Sequence, residues 1–362
     1  MTARDLVVQT LRAPASVRTL SPAQWDLLLR QARRADLLAR LAWLLRRDGL
    51  VDAAPAPAQA LLRAAEILNT AQLLEVQREL THLQTALAPL RLQPVLLKGA
   101  AYLAADAPCI PGRSFNDIDL LVPKDRIGEV EAHLMMGGWM TTHLDAYDQR
   151  YYRQWMHEIP PMMHNDRGSV LDVHHAILPD TAHVQPDSRL LMADATESAM
   201  MPAFRVLSPV DMLLHSMTHL LHNDELSHGL RDLSDIDLML RHQAANAAFW
   251  SALATRAEQL GLGRTLHQGL TAAVEVLGTP VPSQALTSAR RHAAPVWQDR
   301  GLAWLWRQAL RGPHASCRTA GAEAAEGLLY VRAHALRMPP GLLLRHLTIK
   351  AFKRVWPTPE AH

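Results

Sequence analysis

The stretch Val95-Leu96-Leu97-Lys98-Gly99-Ala100, followed by Arg113-Ser114-Phe115-Asn116-Asp117-Ile118-Asp119-Leu120-Leu121-Val122, constrains the chain more than any other. It reads as strand, tight glycine turn, short helix, loop and strand. With a side-chain period of two, Asp117 and Asp119 project from one face, while Ile118, Leu120 and Val122 turn toward a core. Carboxylates held that close repel unless a cation lies between them, and their hard oxygens suit Mg²⁺.

A third carboxylate comes from the next strand-like run, Ser169-Val170-Leu171-Asp172-Val173-His174-His175-Ala176-Ile177. Asp172 and His174 share one face, and Leu171 and Val173 share the other. Three carboxylates on adjacent strands beside a glycine turn make a cradle for two metal ions, an arrangement suited to phosphoryl transfer.

Together these residues resemble the DNA polymerase beta nucleotidyltransferase superfamily. The resemblance narrows to its little-characterised bacterial branch through Leu97-Lys98-Gly99, Arg113, Asp117 to Val122, Leu171-Asp172-Val173-His174, and Leu207-Ser208-Pro209 with His215 and His219; it covers roughly residues 90 to 245. It implies metal-dependent transfer of a nucleoside monophosphate from a nucleoside triphosphate, expected to be ATP, to a hydroxyl of an acceptor, with pyrophosphate leaving. By the same resemblance Asp117, Asp119 and Asp172 are the catalytic residues and the ligands of Mg²⁺ or Mn²⁺. Lys98, Gly99, Ala100, Arg113 and Ser114 contact the nucleotide, and His174, His215 and His219 line the cleft. The superfamily usually follows its glycine with Ser or Gly, and this chain has Ala100. Backbone amides at the start of the next helix are then left as phosphate donors, with Lys98 and Arg113 beside them. The acceptor can be a small molecule, a peptide or protein, or RNA. Two other readings compete: an inert nucleotide-binding module on the same fold, and a toxin-like enzyme that modifies tRNA.

Alternating strands and helices without a regular βαβ repeat predict an α+β core with a mixed sheet. Three regions are expected: an N-terminal helical region over 1–89, the α+β core over 90–205 and a C-terminal helical domain over 206–362. In the first, Ser21-Pro22-Ala23-Gln24 is a capping box, followed by an apolar face of Trp25, Leu28, Leu29 and Ala32. A second stripe runs through Leu37, Leu38, Leu41, Leu44 and Leu45. Arg30, Arg33, Arg34, Arg40, Arg46 and Arg47 between them read as a solvated face, or else as a basic surface for an acidic partner. Pro55 and Pro57 precede a long helix from about residue 58 to 87. Strands are expected at 93–98, near 139–143 and 159–164, and around Asp172, with helices at 100–105 and 125–136.

From Ser208 the pattern turns helical, with a further capping box over Ser208 to Asp211. His215, His219 and His222 follow at helical spacing, which suits zinc if Asp224 or His228 adds a ligand; a lining or hydrogen-bonding role needs no second ligand cluster. Ser234-Asp235-Ile236-Asp237 repeats the Asp-x-Asp tripeptide inside a helical stripe, which puts its carboxylates about 200° apart, so no catalytic role is expected there. A basic amphipathic helix from Leu342 to Trp356 closes the chain, for packing on the bundle or for contact with RNA or an anionic surface.

The net charge of +2 argues against nonspecific nucleic-acid binding by bulk field. Cys109 and Cys317 are the only cysteines, so no disulfide framework is implied and a reducing compartment fits. No apolar run approaches ~18 residues and the N-terminus carries no signal pattern, so a cytoplasmic protein without a membrane span is expected.

Overall fold

In a computed structural model of the chain, residues 5–142, 145–339 and 341 are described. Four helices come first: α1 (Leu6–Arg12), α2 (Pro22–Arg34), α3 (Leu38–Arg47) and α4 (Ala56–Leu87). The start of α2 is fixed as its sequence predicts. Gln24 N donates to Ser21 Oγ and Ser21 N donates to Gln24 Oε1, so two otherwise orphaned helix-end amides are satisfied. Trp25, Leu28, Leu29 and Ala32 are all buried. The same packing drives α3, where Leu41, Leu44 and Leu45 face inward.

The middle of the chain runs β1 (Val95–Leu97), α5 (Lys98–Ala104), β2 (Ile118–Leu121), α6 (Ile127–Met136), β3 (Trp139–Thr141), α7 (Ala146–Trp155), β4 (Met162–His164), β5 (Val170–His174), α8 (Ser188–Asp194), β6 (Thr196–Glu197) and β7 (Arg205–Val206). The strands form one seven-stranded sheet in the order β3-β4-β5-β2-β1-β7-β6. It is mixed: β2 pairs parallel with β5 and β1 with β7, while the remaining neighbours are antiparallel. Helix α7 departs from the sequence reading, which passes directly from one strand to the next. Its Tyr- and Arg-rich sequence lacks an apolar stripe, so periodicity gives it no signal.

Helices α9 (Pro209–His222), α10 (Gly229–His242), α11 (Ala247–Gln259), α12 (Gly263–Ala272), α13 (Ser283–Arg290), α14 (Val296–Ala309) and α15 (Ala320–Arg337) complete the described chain. Ser208 Oγ accepts from Asp211 N as expected, but the Asp211 carboxylate does not close a capping box. It is fully buried against the Arg256 guanidinium at 2.7 Å. No helix among the described residues is long and apolar enough to cross a membrane. The expected amphipathic helix from Leu342 to Trp356 lies outside the described residues.

One polar junction ties α3, the loop before β2 and α10 together. The Asp235 carboxylate accepts from Arg40 Nη2 at 2.9 Å and from Arg113 Nε at 2.8 Å, with all three side chains buried. Helical spacing correctly separates it from Asp237, which turns instead to Arg241 and to the Thr279 hydroxyl. Burial of Asp235 and Arg40 corrects the sequence reading, in which Arg40 belongs to a solvated face. Arg30, Arg46 and Arg47 do sit at the surface, paired with Asp26, Glu66 and Asp48.

Removing one partner of a buried ion pair leaves the other charged, desolvated and unmatched, which costs about 3–5 kcal/mol. Asp235→Asn keeps the side-chain volume but deprives two guanidinium groups of their counter-ion. Urea denaturation should therefore show a loss of about that size. A midpoint equal to that of the parent protein would contradict this account of the junction.

Candidate active site

The antiparallel register of β1 and β2 sets Leu97 opposite Asp119, and the parallel register of β2 and β5 sets Asp119 opposite Asp172. The end of β1 thus delivers its turn directly onto the carboxylates. Lys98 begins that turn with φ +46°, a left-handed conformation costing a side-chain-bearing residue roughly 1–2 kcal/mol. Its Nζ lies 2.6 Å from Asp119 Oδ1. The same oxygen is 3.0 Å from His174 Nε2, and the other nitrogen of that ring lies 3.1 Å from Glu158 Oε2.

These contacts order the local charges. Burial opposes ionisation of Asp119, yet Lys98 and His174 together hold its carboxyl well below the usual carboxylate range. Burial likewise disfavours the Lys98 ammonium, but Asp119 and Asp117 keep it charged by raising its pKa. Asp172 has no such partner. Burial, and then the neighbouring charges of Asp119 and Glu158, push its carboxyl up to about 7. Asp117 is raised too, first by Asp119 and then by burial.

Asp172 Oδ1 is a buried acceptor with no hydrogen-bond partner. Ligand atoms of Asp119, Asp172 and His174 lie within 4.8 Å of one another, and those of His157, Glu158 and His174 form a second such group among the described residues. An orphaned buried oxygen beside an ionised carboxylate is what a bound cation would satisfy, so the residues present fit a divalent metal. Asp117 stands outside the tight group, just before β2, and lines the adjoining cavity.

That cavity measures about 250 Å³ and is bounded by Lys98, Asp117, His219, Arg231 and Asp232. Two larger ones adjoin it. A cavity of about 510 Å³ shares Asn116 and Asp117 and carries Phe115 and Val76 in its wall. A cleft of about 980 Å³ shares Glu225, Ser227 and His228 and is lined by Arg33, Arg34 and Arg311.

The residues expected to contact phosphate separate into two sets. Lys98 does line the cavity. Arg113 also reaches its wall, and its Nε is held by the buried Asp235 carboxylate. Gly99 serves that packing: a Cβ there would come within 2.4 Å of Arg113 Nη1 and 2.9 Å of the Phe115 ring. Close approach at this glycine is made by the protein's own side chains. Ala100 is buried, and Ser114 directs its hydroxyl to the Asp36 carbonyl at 3.4 Å.

The histidines of α9 do not converge. His215 is buried and burial, then Lys98, lower its pKa to about 3. His219 lines the cavity and is held well below its usual value by burial and by Lys98. His222 meets the Thr265 hydroxyl at 3.2 Å. Asp224 pairs with Arg337, and His228 with Asp36. A zinc site at His215, His219 and His222 is therefore not assembled. Glu158 and Arg231 are neighbours that sequence reasoning missed. Glu158 lies in the run Trp155-Met156-His157-Glu158-Ile159-Pro160-Pro161, whose only signal is an acid two residues before a proline pair.

A carboxyl whose folded pKa is raised weakens the fold progressively as pH climbs from its unfolded value of 3.8 to its folded value near 7. In metal-free buffer, Asp172→Asn should accordingly raise the unfolding free energy at pH 8 by about 1–3 kcal/mol, with a smaller gain at pH 5. Equal gains at both pH values, measured by urea denaturation with a chelator present, would refute the assignment of strain to this carboxyl.

A family model described as an uncharacterised nucleotidyltransferase matches residues 21–278 of the chain. No curated protein and no solved structure matches it.

Proposed function

Because the chain belongs to this nucleotidyltransferase family, and so is a transferase acting on a nucleoside triphosphate, we propose that it transfers a nucleoside monophosphate, from ATP in the first instance, to an acceptor hydroxyl. The observation that carries the reading is the pairing of Asp119 with Asp172 across parallel strands, with Lys98 on the first carboxylate and an unsatisfied oxygen on the second. Residues 90–205 are the catalytic core in this reading, and the helical regions 1–89 and 206–362 form the walls that receive the acceptor.

Asp117, Asp119 and Asp172 would hold Mg²⁺ or Mn²⁺. A divalent cation supplies charge neutralisation at the triphosphate and lowers the pKa of a nearby hydroxyl. Lys98 and Arg231 place positive charge in the cavity beside Asp117, where the phosphates and the departing pyrophosphate are offset. Asp172 takes the acceptor's proton as the hydroxyl oxygen bonds to the α-phosphorus and the bond to the pyrophosphate oxygen breaks. At about 250 Å³ the central cavity is smaller than ordinary ligand sites and suits the phosphates alone. The two cavities adjoining it take the nucleoside and the acceptor.

The test is incubation of the full chain with each α-³²P-labelled nucleoside triphosphate and Mg²⁺, with and without cell extract, beside an Asp117→Asn variant. Label should move to an acceptor with the parent protein and fall at least about a hundredfold with the variant, because the charge is lost while the volume is kept. Equal labelling by the two proteins would remove the carboxylates from the chemistry. Triphosphate binding without any pyrophosphate release would instead indicate a binding module.

A further inference from the structure

A second group of ligand atoms lies behind the carboxylates. The Nδ1 atoms of His157 and of His174 are both buried and have no hydrogen-bond partner. Glu158 Oε2 stands 3.1 Å from His174 Nδ1 without hydrogen-bond geometry, and the ligand atoms of the three residues lie within 4.8 Å of one another. The two imidazole rings are 5.2 Å apart and tilted by 33°.

Backbone pairing fixes the arrangement. Glu158 and His174 form an isolated antiparallel bridge, Ile159 N donates to Val173 O, and His175 N donates to His157 O at 2.8 Å. These ligands therefore sit on a strand edge whose position is set before any ion arrives.

Two buried ring nitrogens without partners and a carboxylate oxygen converge at this edge, a set of atoms that a cation would satisfy. His174 Nε2 lies 3.0 Å from Asp119 Oδ1, which can only accept, so that nitrogen carries a hydrogen. In the neutral ring Nδ1 is then a lone pair facing the Glu158 carboxylate, acceptor against acceptor. A second proton on His174 would relieve that pair but would leave His157 Nδ1 buried and unmatched. A metal cation relieves both histidines and the carboxylate together.

We propose that His157, Glu158 and His174 form a zinc site, separate from the Asp117, Asp119 and Asp172 cradle. Two imidazole nitrogens and one carboxylate are a ligand set that suits zinc, whereas magnesium prefers oxygen alone. Three protein ligands leave a fourth position for water, and His157 and Glu158 are half-buried. The hydrogen bond from His174 to Asp119 is the outer carboxylate contact that metal-bound histidines commonly make. Zinc here acts as a positioning element: it fixes the His174 ring, which in turn fixes the Asp119 carboxylate. The site does not depend on the nucleotidyl-transfer reading.

The full chain, stripped with a chelator and returned to buffer with millimolar Mg²⁺, is titrated with ZnCl₂ by calorimetry, and bound metal is counted by plasma emission. One zinc per chain is expected, with affinity lowered about a hundredfold or more in His157→Ala and in Glu158→Gln, since losing a ligand costs at least as much as losing an outer contact. Asp172→Asn should bind zinc as the parent does. Circular dichroism checks that each variant is folded, and Glu158→Gln, which keeps shape and polarity, carries the test if His157→Ala is not. Absence of zinc binding, or binding lost in Asp172→Asn and retained in His157→Ala and Glu158→Gln, would overturn the proposal.

Discussion

The Asp235 carboxylate, buried between Arg40 and Arg113, is the interaction on which the rest of the site depends. It draws together a helix from early in the chain, the loop before β2 and a helix from the second half. By holding Arg113, it also places that guanidinium against Gly99, where a Cβ would come within 2.4 Å of it. Gly99 follows Lys98, whose left-handed backbone accompanies the placement of its ammonium on Asp119. Asp119 then meets His174, and His174 meets Glu158. A continuous line of steric, covalent and polar links thus runs from a structural ion pair to the candidate reacting groups.

Along that line, matched charge gives way to unmatched charge. Asp235 has two cationic partners and Asp119 has Lys98 and His174, while Asp172, opposite it in the parallel register, has an oxygen with none. Desolvating a carboxylate without a partner is unfavourable, and the neighbouring Asp119 charge adds to the cost. Such strain lowers the stability of the metal-free chain and favours any cation that fits. Preorganisation of this kind stores part of the binding free energy in the fold itself.

The strands carrying Asp119 and Asp172, with Asp117 just before the first, were legible because alternation of apolar and acidic residues is a local signal. The capping of α2 and the extent of α4 and α9 were legible for equally local reasons, Ser-Pro starts and apolar stripes. What the sequence concealed depends on long-range packing. Arg40 looks like a surface cation and Arg113 like a phosphate contact until the residue between them, more than a hundred positions away from either in the chain, is brought to the same point. Glu158 becomes a neighbour of His174 and Asp172 only through the bridge its backbone makes with His174. Helix α7 is invisible for the opposite reason, since it presents no periodic apolar face from which to read it.

The two Asp-x-Asp tripeptides show why spacing needs a secondary-structure context before it can carry chemistry. Asp117 stands just before β2 and Asp119 within it, and repulsion between them raises the first while Lys98 and His174 stabilise the second. In α10 the same tripeptide sends Asp235 to two arginines and Asp237 to Arg241 and Thr279. Each of those two carboxylates is fully partnered and none of its charge is left for a ligand. The acidic pair in the sheet is matched only in part, and that residual demand for positive charge distinguishes a place where chemistry can occur from a place where charge merely holds helices together.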